Sequence, residues 1–117
     1  MSMLISESMA KKKKAEKKWP SYTMVEERMR RIYFRFYHET YKTSKLDRKT
    51  KELIAIAASL GFGCEGCLKG HLEKALKAGA DKYEISEAIS VAMGVAAASV
   101  VDQTDIISEK LQIKHFD

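Results

Sequence analysis

Two cysteines and a histidine share one short stretch, Gly63-Cys64-Glu65-Gly66-Cys67-Leu68-Lys69-Gly70-His71, and the chain has no other cysteine. On a helix that turns about 100° per residue, with Cys64 as origin, Cys67 falls at about 300° and His71 at about 340°. The three then form one stripe. Cys67 and His71 are i,i+4 neighbours, the spacing at which helical side chains touch. A thiol beside an imidazole loses its proton more readily, and the thiolate is the nucleophile. The chemistry predicted is a redox-active dithiol with its own base.

Two other readings use the same residues. Two cysteines and a histidine are zinc ligand types, and Glu52, His38 or His115 could be a fourth. Structural zinc sites, however, pair two short ligand clusters, and this sequence has one. The third reading is two buried cysteines and a satisfied histidine in a core. Within the redox reading the physics leaves the nucleophile open. Cys64 stands where the helix begins, and the dipole there favours a thiolate. Cys67 has the imidazole. If Cys67 attacks a peroxide oxygen, it becomes a sulfenic acid, and Cys64 can condense with it to a disulfide and release water.

The elements that position these residues read as helices. Residues 1–20 form a basic tail, with six lysines against Glu7 and Glu16, so most of the net charge of +5 lies there. Such a run is a solvated arm, and no aromatic residues are interleaved to suggest specific nucleic-acid binding. After Trp19-Pro20-Ser21 the domain proper, 21–117, begins. Residues 23–42 read as an amphipathic helix with Val25, Met29, Ile32, Tyr33, Phe36 and Tyr37 on one side, a core or subunit-packing face. Asp47 caps a helix over about 48–60 whose apolar residues cover most of its circumference, so it should be largely buried. Glu52 sits inside that pattern, either at a core edge or as a buried carboxylate with a partner. Gly61 and Gly63 end that helix. The cysteine helix runs from Cys64 to Ala78, its apolar side formed by Leu68, Leu72, Ala75 and Leu76. The Cys–Cys–His stripe lies at the margin of that side and should be semi-buried. Gly79 and Asp81 separate it from helical residues 83–111, where Gly94 and the Ala96-Ala97-Ala98-Ser99 run allow close packing or a break. The expectation is an all-α fold of about five helices, without strands.

With 117 residues, 45% hydrophobic and 32% charged, the chain has the profile of a soluble globular protein. No window reads as the roughly eighteen apolar residues of a membrane span, and the N-terminus lacks an export pattern, which predicts a cytoplasmic location without membrane partners. In that compartment a C-x-x-C is catalytic or metal-binding rather than a staple.

The chain resembles the AhpD-like alkyl hydroperoxidases of the carboxymuconolactone decarboxylase family. Their redox signature is a glutamate, eleven residues, C-x-x-C, three residues and a histidine, and Glu52, Cys64, Cys67 and His71 match it without a gap. The flanks Leu46–Ala57, Ala75–Ala80 and Glu84–Ile89 are similar too, so the resemblance covers roughly 46–110. It implies that Cys67 is the peroxidatic cysteine, Cys64 its resolving partner, His71 the base and Glu52 the carboxylate behind His71 in a proton relay. It also implies an all-α homo-oligomer (a trimer, or a hexamer built from dimers), no cofactor or metal, and a thiol or lipoyl-type reducing partner. One departure is Gly66, where some members carry a histidine before the second cysteine, a position that bears on the efficiency of peroxide reduction and on the identity of the electron donor. The runner-up is a general protein or lipoyl disulfide oxidoreductase, followed by a metal or small-molecule carrier. The lactone decarboxylases of the family use no dithiol, so the cysteine pair argues against that activity.

Overall fold

The protein is described by a computed structural model covering residues 22–113 and Phe116. The lysine tail, Trp19-Pro20 and His115 lie outside the described residues. Those described hold four helices and no strands: α1 (Glu27–Tyr41), α2 (Arg48–Phe62), α3 (Glu65–Lys77) and α4 (Lys82–Leu111). A fifth helix is not among them. α4 runs unbroken through Gly94, so the break allowed for at that glycine does not occur.

The chain clusters into a part ending at Tyr37 and a part from His38 onward. In the first, Tyr22 packs its ring edge-on against Phe34, with centroids 5.3 Å apart, and tilted against Tyr33 at 5.1 Å. Residues 22–25 are turns and bends rather than the first turn of α1.

In the second part, each helix boundary has a local cause. The Asp47 carboxylate accepts from the Thr50 amide at 2.7 Å and opens α2. Gly63, at φ +68°, closes it in the left-handed region that only glycine enters without strain, and the Cys64 amide donates back to the Ser59 carbonyl at 2.9 Å. Gly61 is still helical, so one glycine makes the stop and not two. Gly79, at φ +93°, does the same work after α3, where the Ala80 amide reaches the Ala75 carbonyl at 2.9 Å. Asp81 and Glu84 form a reciprocal capping box at the start of α4.

α2 packs on both α3 and α4. Ile56, Ala75 and Ala80 are the buried centre, with Leu53, Leu68, Leu72, Ile85 and Ile89 packed around it. α2 is less buried than its composition suggested. Glu52, Ala55, Ile56 and Ser59 are inside, while Ile54 and Leu60 are exposed. Leu76, placed on the apolar side of α3, is exposed as well. Most of the circumference is apolar, but α3 and the start of α4 cover only one side of it. Beyond Ile89 the apolar side chains of α4 are largely exposed, and α4 has no fully buried residue.

α4 also corrects the reading that no window approaches a membrane span. An 18-residue window of this 30-residue helix reaches a mean hydropathy of 1.5. The small residues of the Ala-rich run raise hydropathy without looking like a Leu/Ile/Phe span. Length and composition alone make this weak evidence for a membrane.

The caps predict an acid limb in stability. The Thr50 amide holds the Asp47 carboxyl below its ordinary value, and the Lys49 ammonium, then the Asp81 amide, do so for Glu84. Glu84 in turn raises Lys49. Depressed carboxyls stabilise the fold above their unfolded pKa, and this is lost as pH falls through the folded value. A raised lysine stabilises below its unfolded pKa and loses this as pH rises through the folded value. The urea midpoint should therefore fall below about pH 4. Asp47→Asn with Glu84→Gln, which keeps a capping side chain but removes the titration, should flatten that limb. An acid limb unchanged in the double variant would contradict the assignment.

Candidate functional site

The cysteine helix starts one residue later than the periodicity suggested. Cys64 is the N-cap of α3, with extended backbone, and its sulfur accepts from the Cys67 amide at 3.2 Å. The stripe therefore begins at Cys67, and Cys64 reaches it from the cap position. The two are joined in a disulfide, with Cα atoms 5.3 Å apart. C-x-x-C at a helix start suits this bond, because cap and third helical residue bring their Cβ atoms together. Cys64 is half-buried and Cys67 exposed, so the pair is more accessible than expected.

One turn further on, His71 is buried on the side of α3 that faces α2. Its Nδ1 lies 2.7 Å from Oε2 of Glu52, nineteen residues earlier in the sequence. Glu52 is 0% exposed, which decides between its two readings: it is a buried carboxylate with partners. A charge so placed is tolerated only when paired. On its other side, Arg48 Nε approaches Oε1 to 3.4 Å, an i,i+4 pair whose guanidinium is half in solvent. Oε1 itself accepts no hydrogen bond among the described residues.

The second ring nitrogen of His71 is engaged too. The Tyr41 hydroxyl lies 3.3 Å from Nε2, and the two rings stack with centroids 5.1 Å apart and planes 28° from parallel. A carboxylate only accepts, so with Glu52 ionised and His71 neutral the hydrogen sits on Nδ1, and the Nε2 lone pair takes the tyrosine O–H. The structure thus pairs Cys64 with Cys67 and Glu52 with His71, the two pairs about one helical turn apart on α3, and adds Tyr41 and Arg48 to the second pair. Arg48 was legible as an i,i+4 partner of Glu52. Tyr41 was not: its partner is thirty residues away, and it lay among aromatics read as a packing face.

The zinc donor set is not assembled among the described residues, where no three His, Cys, Asp or Glu side chains are grouped to hold a metal. Both cysteine sulfurs are in the disulfide, and His38 is exposed on α1.

Comparison with known proteins gives a consistent picture. Residues 27–104 match the family model for the carboxymuconolactone decarboxylase family. "Uncharacterized protein 4 in cox locus" of Paracoccus denitrificans is 41% identical over 54 residues, 46% of this chain and 49% of that protein. An alkyl hydroperoxide reductase AhpD of Anaeromyxobacter sp. (strain K) is 30% identical over 88 residues, 62% of this chain and 47% of that one. The chain spans about half the length of the curated relatives it matches. Among solved structures, a protein from Methanobacterium thermoautotrophicum superposes with a TM-score of 0.61 at 31% identity, over 66% of this chain and 86% of its own. A carboxymuconolactone decarboxylase family protein from Thermotoga maritima gives 0.55 at 30%, over 70% and 88%.

The buried carboxylate yields a stability test. Glu52→Ala strands the His71 Nδ1–H and should cost about 3 kcal/mol by the measure of broken buried pairs. Glu52→Gln, whose amide oxygen can still accept, should cost about 1 kcal/mol. Equal denaturant midpoints for the two variants would contradict this geometry.

Proposed function

The chain belongs to the carboxymuconolactone decarboxylase family, and on that premise we propose that it is a thiol-dependent peroxidase that reduces alkyl hydroperoxides through Cys64 and Cys67. The observation that carries this reading is a C-x-x-C disulfide one turn from a buried His71–Glu52 pair.

The reduced protein starts the cycle. His71 takes the Cys67 thiol proton, and Glu52 stabilises the imidazolium that results. The Cys67 thiolate attacks the outer peroxide oxygen, the O–O bond breaks, and the departing alkoxide takes a proton from the imidazolium to leave as alcohol. The oxygen remains on Cys67 as a sulfenic acid. The Cys64 thiol then attacks that sulfur, water leaves, and the disulfide forms. A dithiol donor, a thiol protein or a lipoyl group, returns two electrons and two protons. Cys64 is suited to leave as thiolate in that reduction, because its sulfur already accepts the Cys67 amide at the positive end of α3. Gly66, carrying no side chain, adds no further base.

A second reading, a general disulfide oxidoreductase, uses the same residues, and the exposure of Cys67 favours it. In either case the chain acts as a homo-oligomer in the cytoplasm. A 30-residue helix without a buried residue, exposing Val91, Met93, Val95, Val100 and Ile106, is a face for another copy rather than for water. Light scattering should give a mass at least twice that of the chain, and a monomer would contradict this.

The catalytic reading is tested by following an organic hydroperoxide with a dithiol reductant present. Cys67→Ser should drop to background, and Cys64→Ser should stall after one equivalent as the sulfenic acid. Undiminished turnover by Cys67→Ser would overturn the assignment.

A further inference from the structure

The reaction above uses the Nδ1 contact of His71 and leaves its Nε2 contact without a role. Yet Nε2 is the only ring nitrogen able to receive a proton once Nδ1–H points at Glu52. Tyr41 stands on that nitrogen, with its hydroxyl 3.3 Å away and its ring stacked on the imidazole at 5.1 Å. The tyrosine oxygen is therefore placed to hand a proton to that nitrogen.

We propose that Tyr41 is a positioning residue of the dithiol site, holding His71 in the Nδ1–H tautomer and passing the proton at Nε2. This rests on the reading of His71 as the base for Cys67. When Cys67 gives up its thiol proton to water, the half-buried Tyr41 oxygen accepts a proton from that water while its own hydrogen passes to Nε2. Tyrosine and water are neutral before and after. Cys67 ends as a thiolate and His71 as an imidazolium, flanked by the Glu52 carboxylate. The stacked ring contributes separately, by fixing the plane of the imidazole so that both hydrogen bonds can form. Ring and hydroxyl are thus separable by substitution: Tyr41→Phe keeps the stack and removes the relay.

The test uses the reduced full chain with Cys64→Ser, which leaves Cys67 as its single thiol, and follows iodoacetamide alkylation across pH. Adding Tyr41→Phe should slow alkylation near pH 7 roughly 5-fold, the worth of one hydrogen bond, and move the profile to higher pH. A profile that superimposes on that of the parent overturns the proposal. So does a lowered melting temperature with an unmoved profile, which assigns Tyr41 to packing alone. Nitrogen-15 shifts of His71 in the otherwise unaltered protein check the tautomer without any variant: Nδ1–H is expected for the neutral ring, and Nε2–H would overturn the proposal. Neither readout involves peroxide, so a failed peroxidase assay counts against the proposed function alone.

Discussion

The contact between the Glu52 carboxylate and His71 Nδ1 is what the second part of the chain is arranged around. A carboxylate with no solvent exposure has to be matched, and here the match comes from the next helix. That requirement fixes how α2 and α3 face each other, because His71 must reach back across their interface. It also fixes the reactive end of α3. With Gly63 turning the chain and Cys64 capping the helix, Cys67 falls one turn before His71 on the same side. The core around Ile56 and Ala75 is small, so this polar pair and the helix caps share the task of setting the register.

The caps illustrate a double use of one residue. A serine or aspartate at position 64 would satisfy the free amides of α3 better than a cysteine does. Cysteine caps more weakly, yet it places a sulfur where the helix dipole and an amide hydrogen favour a thiolate. The physics of the sequence left the choice of nucleophile open for this reason, and the structure sharpens the two environments. Cys64 is half-buried and held by an amide; Cys67 is exposed and lies one turn from a histidine with both ring nitrogens engaged.

Much of this is legible in the sequence. The spacing of Cys64, Cys67 and His71 set them on one stretch of helix and the family resemblance added Glu52, while Asp47 and Asp81 announced their helices, and Gly63 and Gly79 announced their ends. Periodicity failed where it had nothing to act on. It could not tell a cap from a first helical residue, so Cys64 was placed on the stripe. It could not say which side of a mostly apolar helix would be covered, so α2 appeared more buried than it is. Tyr41 escaped because a hydrogen bond across thirty residues leaves no local signal, and because it lay among aromatics on a helix read for packing. The exposed length of α4 is the complementary case: an apolar helix is recognisable in sequence, but what covers it is a property of a second surface.

Cys64 and Cys67 are proposed to form one redox couple driven by peroxide. The most direct measurement is a thiol titration of the fully reduced protein before and after one equivalent of an organic hydroperoxide. The account predicts two thiols per chain before and none after, with both restored by a dithiol reductant. Retention of both thiols, or loss of one without the other, would contradict it.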